Sequence, residues 1–325
     1  MFERFVESAT GPDGERKILL AAPRGWCAGV ERAVEIVERT LERHGAPVYV
    51  RKQIVHNLHV VRELEAKGAI FVDSEEDVPE GSVCVLSAHG VSPAVRHNAA
   101  SRGLSVVDAT CPLVAKVHVE ARRFAAAGKT IFLIGHANHE EIEGTYGEAP
   151  GQTIVIEGPG DIPDDIPSDP TDPRNGVAYL TQTTLAVDDT AEVVEALRGR
   201  FPGLAGPRLD DICYASQNRQ QAVKALAARS DVVLIVGSDN SSNANRLVEV
   251  AREAGAPAWL VEDERAIDTA WLEGTTIVGV SSGASTPDIL VQQVVTWLQG
   301  LGYAGVEEVA VTTEDVHFSL PAGLG

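Results

Sequence analysis

The sequence predicts an α/β fold of three pseudo-symmetric α/β units, with mainly parallel sheets, around a central site. Three observations lead there. Short apolar, β-branched runs alternate with segments of 3.6-residue periodicity, the pattern of βαβ units. Three of the four cysteines, Cys27, Cys111 and Cys213, each sit in a turn between a strand-like run and a helical pattern. Those cysteines lie 84 and 102 residues apart, about one small α/β domain each, in a chain of 325 residues.

In chain order the strand-like runs are KILLAA, PVYV, SVCVLSA, LSVVDA, KTIFLIG, GVAYL, DVVLIVG, PAWLV and TTIVGV. Helical patterns follow several of them, as in GVERAVEIVERTLERHG, AKVHVEARRFAAAGK, NRQQAVKALAARS and SNANRLVEVAREAG. The units are drawn at 28–112, at 113–208, and at 15–27 plus 209–300, with 301–325 as a C-terminal tail. The Pro-, Asp- and Gly-dense segment 157–176 reads as a long solvated loop. QTIVI and GVAYL on either side of it look ready to pair.

The net charge is −20, from 27 basic and 47 acidic residues. Such a field repels phosphate backbones, so no nucleic acid and no membrane surface is expected as a partner. No apolar run approaches the roughly 20 residues that span a bilayer. The charged start MFERFVESATGPDGERK lacks the apolar centre of an export signal, so a cytoplasmic protein without a disulfide framework is expected.

Helix N-termini favour thiolate, the form that ligates metal, and Cys27, Cys111 and Cys213 are all placed at such termini. Cys84, inside SVCVL, reads as a buried core residue. On residue types alone, three unrelated buried thiols remain a reading of the other three. Zinc competes, but the close C-x₂₋₄-C pairs of structural zinc sites are missing. Three thiolates from three units suit an iron–sulfur cluster with one iron lacking a protein ligand.

The other strand ends carry polar loops: His56 and Asn57; Ser87, His89 and Gly90; His136, His139 and Glu141; Thr181 to Thr184; Ser238 and Asn240 to Asn243; and Ser281, Ser282, Ser285 and Thr286. Each Ser/Asn group has an ordinary explanation as helix caps, with Ser285 or Thr286 capping a helix that opens on Pro287. Together, helix N-termini, histidine cations and hydroxyls would hold a diphosphate without a basic surface. Glu141, beside a strand end, reads as a proton donor. AGKT at 127–130 imitates a P-loop but lacks its upstream glycine and precedes a strand; no G-x-G-x-x-G is present.

APRGWCAGVERA, IVHN, SAHGV, DATCPLVAKVH, GHANHEEIEGT, TQTTL, DICYASQNRQ, GSDNSSNANRL and SSGASTPD follow in order from about residue 20 to 288. With these stretches the chain resembles the 4-hydroxy-3-methylbut-2-enyl diphosphate reductase family of isoprenoid synthesis. Trp26 stands where many relatives have Phe, and Ser216 where many have Thr. The resemblance implies an oxygen-sensitive [4Fe–4S] cluster on Cys27, Cys111 and Cys213, at the centre of the three units. It implies two-electron, two-proton reductive removal of an allylic hydroxyl, giving isopentenyl and dimethylallyl diphosphate. His56, His89, His139, Ser241, Asn243 and Ser285 would hold the diphosphate, with Ser242 close by. Thr183 would contact the substrate hydroxyl and position Glu141, which delivers protons. Electrons would come from a small carrier such as ferredoxin or flavodoxin, not from a nicotinamide. A non-redox iron–sulfur hydro-lyase and a non-enzymatic iron–sulfur sensor are the alternatives. The first calls for carboxylate-binding arginines in place of the His, Ser and Asn of these loops.

Overall fold

The computed structural model describes residues 16–164, 166 and 176–324. The charged N-terminal stretch and the 165 and 167–175 part of the expected solvated loop lie outside the described residues.

The chain runs β1 (Lys17–Ala22), α1 (Ala28–His44), β2 (Val48–Arg51), α2 (Leu58–Ala66), β3 (Ala69–Val72), β4 (Val83–Leu86), α3 (Pro93–Ser101), β5 (Ser105–Asp108) and α4 (Pro112–Ala126). It continues through β6 (Thr130–Ile134), α5 (Glu140–Tyr146), β7 (Thr153–Ile156), β8 (Val177–Thr181), α6 (Val187–Arg200) and α7 (Tyr214–Ala227). The last elements are β9 (Val232–Val236), α8 (Ser242–Glu253), β10 (Ala258–Val261), β11 (Ile277–Ser282), α9 (Asp288–Gly300) and β12 (Gly305–Ala310).

Among the described residues the strands form three separate sheets, ordered β10-β9-β11-β1-β12, β3-β2-β4-β5 and β7-β6-β8, and every strand pairing is parallel. Parallel sheets bury both faces, which is why the strands read as unbroken apolar runs; all five residues of β9 are buried. Alternate residues supply alternate faces. In the largest sheet Ile18, Leu20 and Leu234 join one apolar cluster, while Leu19, Val233 and Ile235 join another. The four-stranded and three-stranded sheets each have a comparable pair of clusters. Cys84 has no exposed surface and packs with Val78, Leu86 and Val91 on one face of β4.

Four expectations change. β7 and β8 do not pair with each other; they flank β6 on opposite sides, because a parallel sheet needs crossovers rather than a hairpin. The stretch taken as tail opens with β12, which pairs with β1 along its whole length. No strand precedes Cys213: RLDDI is irregular, and the turn is held by the Cys213 N–H donating to the Thr183 carbonyl at 3.0 Å. Neither Ser285 nor Thr286 caps α9. Pro287 occupies the cap position, while the Ser285 and Thr286 hydroxyls donate to His56 O at 2.8 Å and Val236 O at 2.9 Å.

Candidate active site

One cavity is lined by Cys27, Cys111, Cys213, His56, His89, His139, Glu141, Thr183, Ser241, Ser242, Asn243 and Ser285, so the structure brings all twelve sequence-derived candidates together. They come from loops beyond strand ends and from helix N-termini, where an open α/β sheet leaves room for a ligand.

Cys27, Cys111 and Cys213 are the N-cap residues of α1, α4 and α7. Pro112 follows Cys111 at the first helical position, where a missing N–H costs nothing. A Cβ at Gly29 would stand 2.8 Å from Cys111 Sγ and 3.7 Å from Cys27 Sγ, so only glycine leaves the two sulfurs their space. None of the cysteines is in a disulfide. Burial pushes the Cys111 thiol up to about 12 and the Cys213 thiol up to about 11, and crowding by the neighbouring thiols adds to it. At Cys111 and Cys213 desolvation therefore outweighs the helix N-terminus, and nearby positive charge is what restores the ionised form. The three sulfurs do not all lie within 4.8 Å of one another. A tetrahedral zinc ion needs sulfurs about 3.8 Å apart, so the wider triad suits a polynuclear centre.

Three further lining residues are imidazoles. His56 and His89 stack with ring centroids 4.0 Å apart and planes 16° from parallel. His139 meets them edge-on at 5.3 and 5.8 Å. His56, His89 and Glu140 are close enough to be considered for a cation. A nitrogen lone pair lies in its ring plane, however, and two nearly parallel planes do not converge on one ion. Stacked rings instead offer N–H donors side by side, as adjacent oxygens of a diphosphate require. Burial and mutual repulsion drive the His56 pKa far down and that of His139 to about 3. His56 and His139 are therefore neutral at pH 7 while no anion is bound, and the expected histidine cations would form only against a bound anion.

The hydroxyl and amide groups are held by one another. Ser241 caps α8 by accepting from Ala244 N at 3.3 Å, and Asn243 Oδ1 accepts from Ala284 N at 2.8 Å. Ser242 Oγ lies 3.1 Å from Gln182 Nε2 and 3.0 Å from Thr184 Oγ1. Glu141 is 2% exposed; its carboxylate accepts from Thr183 N at 2.6 Å and Thr183 Oγ1 at 2.9 Å. Burial outweighs those hydrogen bonds and raises its pKa to about 7, so it can deliver a proton at neutral pH.

The sequence reading assigned no site role to Glu140, Tyr214 or Phe318, and took Gln182 only as one of the strand-end polar residues. Gln182, with no exposed surface, also accepts from His136 N and so orders the Thr184–Ser242 pair. Glu140 bonds His89 Nδ1 at 3.1 Å. Tyr214 lines the cavity and accepts from Ala28 N at 3.4 Å. Phe318 reaches the cavity from the tail. The TQTT and HEE stretches carried a signal for Gln182 and Glu140, and the tail EDVHFSLP, which also resembles the family, carried one for Phe318.

Fold and site define an α/β protein whose cavity gathers three helix-capping thiols, three imidazoles, a set of hydroxyl and amide groups and a buried carboxyl. The LytB protein family matches residues 18–299, and the chain belongs to that family. The chain is 58% identical over 314 residues to a 4-hydroxy-3-methylbut-2-enyl diphosphate reductase of Acidothermus cellulolyticus, covering 96% of this chain and 91% of the relative. It is 54% identical to one of Bordetella pertussis, covering 98% and 97%. The solved structure of the Plasmodium falciparum E-1-hydroxy-2-methyl-but-2-enyl-4-diphosphate reductase superposes with a TM-score of 0.91 at 37% identity, over 96% of this chain and 97% of that one.

Proposed function

We propose that the chain reduces 4-hydroxy-3-methylbut-2-enyl diphosphate to isopentenyl and dimethylallyl diphosphate. The allylic C–O bond breaks, two electrons and two protons are consumed, and the oxygen leaves as water. One observation carries the reading: the thiol triad, the imidazole and hydroxyl wall and the buried Glu141 line a single cavity.

Cys27, Cys111 and Cys213 would hold a [4Fe–4S] cluster, whose cationic irons relieve the cost of ionising buried thiols. When bound, the cluster supplies electrons and Lewis acidity at the iron without a protein ligand. His56, His89, His139, Ser241, Ser242, Asn243 and Ser285 bind the diphosphate and so fix the far end of the substrate, converting anchoring into orientation. Thr183 contacts the substrate hydroxyl and holds Glu141, which donates the proton that makes hydroxide leave as water. Among the described residues that line the cavity none is lysine or arginine, the usual partners of a hydro-lyase's carboxylate substrate.

The electrons would come from a ferredoxin- or flavodoxin-type carrier, and the reaction belongs in the cytoplasm. No helix among the described residues is long and apolar enough to cross a membrane.

Anaerobic purification with iron, sulfide and zinc analysis, followed by turnover of the allylic diphosphate with a chemical reductant, tests the reading. The expected outcome is a brown iron–sulfur protein that releases both products. Colourless protein free of iron, or iron-loaded protein inert toward the substrate, overturns it.

A further inference from the structure

Three cations outside the cavity lining repeat one arrangement. Arg32 lies on α1, the helix that Cys27 begins. Its Nη1 donates to Ala109 O at 3.3 Å and Thr110 O at 3.2 Å, the two carbonyls just before Cys111. Lys116 lies on α4, the helix that Cys111 begins. Its Nζ donates to Leu209 O and, at 2.7 Å, to Asp210 O, and it pairs with Asp211 Oδ1 at 3.1 Å, within the turn that leads to Cys213. Arg219 lies on α7, the helix that Cys213 begins. Its Nε and Nη2 donate to Gly25 O at 3.0 and 2.7 Å, and Nη2 also reaches Trp26 O at 3.2 Å, the two carbonyls just before Cys27.

We infer that Arg32, Lys116 and Arg219 form a closed ring of positioning residues, in which the helix of each thiol holds the backbone leading to the next. The inference rests on the reading of the thiols as ligands of one metal centre. The order is cyclic: Cys27 helix to Cys111 turn, Cys111 helix to Cys213 turn, Cys213 helix to Cys27 turn.

Each thiol turn is irregular backbone: the cysteine N–H bonds a carbonyl of another loop, and the carbonyls just before the cysteine, which lie beyond any strand, are held by the cation. Gly25 shows the constraint. It adopts a φ of +66°, which turns its carbonyl to the guanidinium, and a Cβ there would come within 3.3 Å of Thr286 O. Arg219 has no exposed surface, and its charge is met by Glu314, with Nη1 to Oε1 at 3.0 Å. Asn218 Nδ2 holds the same Oε1 at 3.0 Å. The C-terminal segment closes a second member too, since Arg32 Nε donates to Ser319 O at 2.8 Å. The segment bearing Phe318 thus braces two of the three turns.

A ring of this kind makes a directional prediction that general loss of stability does not. In metal-free protein under anaerobic conditions, alkylation of each cysteine by iodoacetamide is followed by peptide mass spectrometry. Arg32→Met should speed labelling of Cys111, Lys116→Met that of Cys213 and Arg219→Met that of Cys27. Each increase should be about tenfold, with the other two thiols and Cys84 changed by less than about threefold. In cluster-loaded protein, the same variants should lose iron to a chelator faster than the parent. If Arg219→Met does not fold, Glu314→Gln keeps the guanidinium but removes its counter-charge and should still expose Cys27 selectively. Arg246→Met, which removes a cation paired with Asp189 and Glu249, should change none of the rates.

Equal acceleration at all three thiols, or none in any variant, overturns the ring. Because labelling needs no metal, a chain that never takes up iron would refute the proposed reaction while leaving the ring to stand or fall on the labelling pattern.

Discussion

The thiol wall and the imidazole wall of the cavity are equally starved of water, and burial drives them in opposite senses. Cys111 and Cys213 rise to about 12 and about 11, while His139 falls to about 3 and His56 further. Both shifts favour the neutral form, because a low dielectric penalises charge of either sign. What differs is the partner each wall lacks. Buried thiols are ionised by an adjacent cation, and buried imidazoles are protonated by an adjacent anion. The cavity therefore favours positive charge beside its thiols and negative charge beside its imidazoles. A molecule carrying a diphosphate at one end and a hydroxyl at the other spans such a gradient.

The cysteines break the comparison most completely. Replacing Cys27, Cys111 or Cys213 by Ala should each abolish turnover and remove most of the bound iron, read by metal analysis and visible absorption. Loss of iron from only one of the three would mean that the thiols do not act as one ligand set.

Glu141 comes next. Glu141→Gln keeps the shape and the bond from Thr183 N but carries no transferable proton. It should lower kcat about 10²- to 10⁴-fold with iron content unchanged. Its neighbour sharpens the point. Burial alone would raise Glu140 as well, yet the hydrogen bond and charge of His89 hold it below the usual carboxylate range. Glu140→Gln should therefore act mainly on KM. The sign of the pH effect follows from the raised Glu141 value of about 7: the acid form persists to neutrality and disappears above it, so kcat should fall as pH rises through 7. A flat profile between pH 6 and 8.5 would remove Glu141 as donor.

How much of this was legible depends on whether the cause is local. Cys27 and Cys111 follow real strands and open real helices, and both signals lie within ten residues. Cys213 was found although its supposed strand does not exist, because the helix after it carried the pattern. The lowered pKa values of His56 and His139 were not legible, since burial depends on three loops distant in sequence. Arg219 left a trace. It falls in the buried stripe with Ala215, Ala222, Val223 and Leu226, and a cation at such a position requires an internal partner. That the partner is Glu314, 95 residues away, no local rule reveals.

The histidine wall is tested by removing one donor. His139→Ala should raise KM for the diphosphate about 10- to 100-fold, as the loss of one charge-assisted hydrogen bond implies, with kcat less affected. The depressed pKa values also fix a sign for stability. His56 and His139 take up protons only on unfolding, so metal-free protein should lose stability as pH falls below about 6.5 and on toward 3. His139→Ala should flatten that acid limb in urea titrations at successive pH values.

The smallest effect belongs to Cys84, the thiol that shares its chemistry with the other three and nothing of their setting. Its pKa is also raised to about 11 by burial, yet it faces Val78, Leu86 and Val91 in a sheet core and does not line the cavity. A raised thiol pKa thus reports burial, and only convergence with other donors reports a site. Cys84→Ala removes one buried sulfur, for a cost of about 1–2 kcal/mol in unfolding free energy, and should leave iron content and turnover at parental values. Iron loss from this variant at unchanged fold would move a ligand into the core and dissolve the contrast between the two kinds of buried thiol.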